Sequence, residues 1–177
     1  RILYPQTKLS IQLDEKFPTE RRIRPNYFEK FPDVFIKHPD PTHKVKIIGL
    51  DKGNRRTERY IDNKIKEDPN LMRWKVFIPK SNGAGTFGEM LSTPLIASPY
   101  TGCTGSFIQI GSFNLENEAA NCIKYLKSKF CRGLLSTLKV TQDNQKSVWK
   151  NVPLQDFTEK SDIDWTKSIA DINKELY

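Results

Sequence analysis

The stretch NLENEAANCIKYLKSKFCRGLLSTL, residues 114–138, decides the fold class. Leu115, Ala119, Ile123, Leu126, Phe130, Leu134 and Leu138 recur at steps of four, four, three, four, four and four, which lays all seven along one helical stripe. Asn114 suits the cap position, and Glu116 and Glu118 suit the positive end of the helix dipole. Gly133 costs about 1 kcal/mol relative to Ala inside a helix, so it marks the expected kink or break. Upstream the period shortens to two, and strands are expected at 44–50, 56–61, 75–78, 94–97 and 106–110, with glycines at the turns between them. Downstream, Ile169, Ile172 and Leu176 share one face of a closing helix. Strands first and helices after them predict an α+β fold, a mixed or antiparallel sheet with a long, kinked helix packed on it.

Pro18, Pro25, Pro32, Pro39 and Pro41 punctuate the start of the chain, and each one pushes its preceding residue out of the helical region. Residues 1–44 are therefore expected to be an extended surface connector, with the folded domain spanning 45–177. The chain opens on Arg1, not Met, and ends at Tyr177 with no helix-stop signal, as expected of a piece of a longer protein. Apolar residues make up 37% of the 177, enough to build a core. No apolar run approaches the roughly 20 residues that a bilayer-spanning helix needs, and no membrane association is expected. Cys103, Cys122 and Cys131 are odd in number and form no C-x-x-C pair, which argues against a disulfide framework or zinc site and points to the cytoplasm.

Charge is unevenly spread. The net charge is +8, and residues 1–80 hold 19 basic against 11 acidic side chains while residues 81–177 hold ten of each. A basic half favours a polyanionic partner, because phosphate neutralisation releases condensed counterions; a solubilising surface is the plain alternative.

Most motifs that look chemical lack their supporting context. Gly83–Gly88 spells G-x-G-x-x-G, yet Pro94 limits any following helix, and no acid stands between Glu89 and Glu116 to hold a ribose. Asp33 after Pro32, with Asp62-Asn63-Lys64, is the nearest approach to a metal-dependent nuclease pattern, and no further acid completes it. Asp162 and Asp164 read as turn and cap residues ahead of the last helix. No nucleophile motif and no Asp/Asn-Pro-Pro-Tyr/Phe tetrad is present, so no catalytic centre is expected.

What remains is Leu50-Asp51-Lys52-Gly53-Asn54-Arg55-Arg56-Thr57-Glu58-Arg59-Tyr60, a glycine turn between two strands. Arg forks onto guanine O6 and N7, and Asn onto adenine N6 and N7, so Lys52, Asn54, Arg55, Arg56 and Arg59 are candidate DNA contacts. Lys80-Ser81-Asn82 offers a second polar tip.

Three blocks carry a family resemblance. They are Lys75-Val76-Phe77-Ile78-Pro79-Lys80-Ser81-Asn82-Gly83; Glu118–Phe130 leading into Leu138-Lys139-Val140-Thr141-Gln142-Asp143; and Trp149–Thr158 followed by Asp162-Ile163-Asp164-Trp165. In this order and spacing, residues 45–177 resemble the TaqI-like specificity domain of bacterial adenine-specific restriction-modification methyltransferases, including combined restriction-and-methylation enzymes. The resemblance implies a domain that reads double-stranded DNA. A separate catalytic domain of the same parent chain would bind S-adenosylmethionine and flip out the adenine. It implies no cofactor and no catalysis in this piece. It places Lys80, Ser81 and Asn82 at a recognition loop and Gln142 just after the long helix. Phe130, Trp149, Phe157 and Trp165 are expected to be core.

Overall fold

The computed structural model describes residues 23–63, 69–81, 87–90, 93–138, 142–144, 146–149 and 151–176. The fold is α+β, and by its contacts the chain divides into two compact units, residues 1–74 with 97–107, and residues 75–96 with 108–177. The contact division does not follow the boundary at residue 44 that the prolines suggest.

In the first unit, β1 (Val45–Leu50) and β2 (Arg56–Ile61) form an antiparallel hairpin whose register runs from Val45 opposite Ile61 to Leu50 opposite Arg56. A short strand absent from the sequence expectations, β5 (Thr101–Cys103), pairs in parallel with the other edge of β1, so the sheet is mixed. Three residues carry too little pattern to register as a strand, and only pairing with β1 makes them one. Alternation sends Val45, Ile47 and Ile61 to one face. There they join a core with Ile23, Tyr27, Phe28, Phe35 and Leu71. The aromatic members come from the short helix α1 (Tyr27–Lys30) and the turn after it, with Tyr27 stacked edge-on to Phe31 at 5.3 Å and Phe28 against Phe35 at 5.4 Å. Residues 23–35, expected in a surface connector, thus supply large core side chains. Each such aromatic contributes roughly 1.5–3 kcal/mol on burial. Ile36 extends this arrangement by exchanging both backbone bonds with Tyr60.

The second sheet has the order β4 (Leu95–Ala97), β3 (Trp74–Pro79), β6 (Phe107–Phe113). Its central strand is a continuous apolar run: Val76, Phe77 and Ile78 are all fully buried, as befits a strand covered on both faces. The helical stretch forms two helices, α2 (Glu116–Lys127) and α3 (Lys129–Leu138). They break at Ser128, not at Gly133. Ser128 is extended (φ −63°, ψ 151°) and serves both helices: its N–H donates to the Tyr125 carbonyl, and its Oγ accepts the Cys131 N–H at 3.1 Å. A capping hydroxyl in a buried place outweighs the modest helix penalty of Gly133, whose helix runs on uninterrupted. Asn114 is not the cap residue either. Leu115 holds that place; the Glu118 carboxylate reaches back to accept the Asn114 amide at 2.9 Å, and Asn117 Oδ1 accepts the Glu118 amide at 2.9 Å.

The buried face of α2 is also rotated from the expected stripe. Ala119, Cys122, Tyr125 and Leu126 are buried, Cys131 and Leu135 continue the face along α3, and Leu115 is 54% exposed. Residues 151–165 cover α2: Tyr125 donates its hydroxyl proton to the Pro153 carbonyl at 2.9 Å, and Asn121 Nδ2 donates to the Phe157 carbonyl at 3.0 Å. Phe157 and Trp165 are buried against Tyr125 and each other, while Phe130 and Trp149 are half-buried. Lys146–Trp149 is a single 3-10 turn. The last helix, α4 (Ile169–Glu175), is capped by Ser168 and buries Ile172, while Asn173 Oδ1 caps the first amide of α3 at 2.7 Å.

Candidate nucleic-acid interface

The loop between β1 and β2 is organised by one carboxylate. Asp51 Oδ1 accepts the backbone N–H of Gly53 at 2.8 Å and of Arg55 at 2.9 Å, bending the chain back on itself. Two backbone bonds close the turn, from the Asp51 amide to the Arg55 carbonyl at 2.9 Å and from the Asn54 amide to the Asp51 carbonyl at 3.0 Å. Asn54 takes a left-handed conformation (φ 58°), which Asn tolerates better than most residues. The second oxygen, Oδ2, holds the Arg55 guanidinium, with Nε and Nη2 each at 2.9 Å. The amide of Arg55 and then its guanidinium are among the contacts that hold the Asp51 carboxyl below its ordinary range.

Around this loop, Lys52, Asn54, Arg55 and Arg56 are all exposed. Lys52 Nζ lies 3.7 Å from Glu29 Oε2, and Arg56 lies over the Phe107 ring at 5.8 Å. Arg59 is not part of the tip. It donates from Nη1 to Thr57 Oγ1 at 2.9 Å and to the Glu58 carbonyl at 2.7 Å, and its guanidinium lies 5.4 Å over the Phe28 ring. Strand alternation explains this, since Arg59 shares the face of Ile61, whereas Arg56 and Glu58 face the other way. Glu58 in turn engages Lys46 and the Tyr60 hydroxyl at 3.3 Å.

The second unit gathers another set. Ser81 bridges to Asp143, and Lys80 Nζ lies 3.8 Å from Asp143 Oδ2, so Lys80 and Ser81 meet the chain neighbour of the exposed Gln142 despite the sequence between them. The join is made by Asn144, fully buried, whose amide donates to the Lys80 carbonyl at 2.7 Å and whose Nδ2 donates to the Pro79 carbonyl at 3.0 Å. Asn82 lies outside the described residues. Asp51 and Asn144, the two residues that build these loops, were not among the sequence candidates. The signal for Asp51 was present in its spacing, with Gly two residues on and Arg four residues on; Asn144 carried none.

The other motifs stay apart. Asp33 and Asp62 are exposed, and among the described residues no three His, Cys, Asp or Glu side chains group as metal ligands would. Gly83–Thr86 falls outside the described residues, and the element after Pro94 is the strand β4, not a phosphate-binding helix. Asp164 accepts from the Thr166 amide and hydroxyl in the turn before α4. Among the described residues no helix is long and apolar enough to cross a membrane.

No protein-family model, curated protein or solved structure matches the chain.

Proposed function

We propose that this chain is a sequence-specific DNA-recognition module of a restriction-modification adenine methyltransferase, working opposite a separate catalytic domain that binds S-adenosylmethionine, in the cytoplasm. The observation that carries this reading is the hairpin tip, where Lys52, Asn54, Arg55 and Arg56 stand exposed on a loop whose backbone Asp51 holds in shape. A rigid loop rich in Arg and Asn suits base edges, because little conformational freedom is lost when it docks. The basic excess of residues 1–80 supplies the phosphate attraction, and the resemblance of residues 45–177 supplies the enzyme class. In this reading the chain has no catalytic role, and Lys80, Ser81 and Gln142 form a second contact loop.

Fluorescence anisotropy of the full chain against random-sequence duplex DNA, at several salt concentrations, tests the reading. Each phosphate contact is expected to steepen the fall of log affinity with log salt by about 0.9. Absence of duplex binding at low salt would overturn it.

A further inference from the structure

We infer that Arg55 reads a guanine in the major groove and that Asp51 is its positioning residue. This rests on the DNA-recognition reading above. A guanidinium carries five N–H donors around a planar fork. In this loop Asp51 Oδ2 occupies the side edge, through Nε and Nη2 at 2.9 Å each. The outer edge, with one N–H from each terminal nitrogen, remains directed away from that carboxylate on a side chain that is 83% exposed. Those two parallel donors match two adjacent acceptors.

Among the four bases, only guanine offers a pair of acceptors, O6 and N7, on its major-groove edge. Adenine places an N6 amino donor beside N7, which would oppose one of the two guanidinium donors. Cytosine presents an amino donor, and thymine a single acceptor beside a methyl group. A phosphate could also accept the fork, but the Asp51–Arg55 pair is neutral as a unit. It therefore adds little to the counterion release that drives phosphate binding. The carboxylate lowers the value of Arg55 as a mobile cation and raises its value as a fixed reader.

The two oxygens of Asp51 can be separated by substitution. In Asp51→Asn the retained carbonyl oxygen accepts the Gly53 and Arg55 amides and keeps the turn, while the Nδ2 that replaces Oδ2 cannot accept from the guanidinium. Arg55→Lys keeps the charge and loses the fork.

The test is site selection from a random duplex pool by the full chain and by both variants, followed by anisotropy on the selected duplex and on the same duplex with 7-deazaguanine at the required position. The expected result is a site with an obligatory guanine. Its loss should weaken binding roughly tenfold or more in the wild type, and 7-deazaguanine, which lacks N7 and keeps O6, should reproduce part of that loss. Arg55→Lys and Asp51→Asn should both relax the preference at this one position, with the salt slope close to that of the wild type in Arg55→Lys and equal or steeper in Asp51→Asn, where the guanidinium loses its neutralising carboxylate. If wild-type selection persists unchanged in both variants, the guanine assignment is overturned and the DNA-recognition reading stands; if the chain binds duplex with no base preference, the guanine assignment and the sequence specificity of that reading both fall, leaving only phosphate attraction. If the chain binds no duplex at all, the DNA-binding reading falls and takes this assignment with it.

Discussion

The backbone of Gly49 lies against the ring of Phe28, so closely that a Cβ added there would sit 2.5 Å from Cε2 and 2.8 Å from Cζ. Thr104 Cγ2 closes the far side at 2.9 Å. The hairpin that carries the candidate interface is thus seated on α1 by a contact that tolerates no side chain. Gly49→Ala is expected to destabilise the protein by about 1–3 kcal/mol through overpacking. Urea unfolding followed by circular dichroism measures this, and Phe28→Leu combined with Gly49→Ala should cost less than the two single changes added together.

Ser128 and Gly133 give opposite expectations within one helical stretch. Ser128→Ala removes the hydroxyl that accepts the Cys131 amide and should cost about 0.5–2 kcal/mol. Gly133 stands inside α3 with nothing within 4 Å of a built Cβ, so Gly133→Ala should stabilise by roughly 0.5–1 kcal/mol. Thermal unfolding of the two variants beside the wild type separates them by sign.

All three cysteines are buried and none is in a disulfide. Burial pushes the Cys122 and Cys131 thiols up to about 12, so neither is a thiolate at neutral pH. A disulfide-exchange reagent such as dithionitrobenzoate is expected to react slowly with the native protein and with all three cysteines in denaturant. Rapid labelling of Cys122 or Cys131 in the native state, located by mass spectrometry, would contradict the packing of α2 and α3.

Acid stability follows the carboxylates. The Thr42 hydroxyl, and then His43, hold the Asp40 carboxyl down at about 2 from an ordinary 3.8. Asp51, Asp156 and Asp164 are lowered by similar turn hydrogen bonds, and Asp171 by the Lys174 ammonium and then the Ser168 hydroxyl. A depressed folded value means that the ionised form is the one the fold favours. The stabilisation is complete above the ordinary value near 4 and is lost as pH falls toward 2. The melting temperature should therefore be flat from pH 7 to 5 and fall between pH 4 and 2. Carboxyl titration by NMR should give Asp40 the midpoint near 2, and Asp40→Asn should flatten part of the thermal profile.

Periodicity by itself determined the α+β class, the hairpin of β1 and β2, and the closing helix, because alternation and helical stripes are properties of consecutive residues. It also brought Lys52, Asn54, Arg55 and Arg56 together, since a two-strand turn gathers its own loop. Tertiary structure decided the rest. β5 exists only through its pairing with β1, α2 and α3 part at Ser128 because a buried hydroxyl caps there, and Arg59 leaves the tip because its strand position points toward Phe28. Lys80 and Ser81 are joined to Asp143 and the buried Asn144, which brings the segment of Gln142 beside them. A hydrogen bond between residues far apart in the chain leaves no period behind it, so only the folded structure could place them side by side.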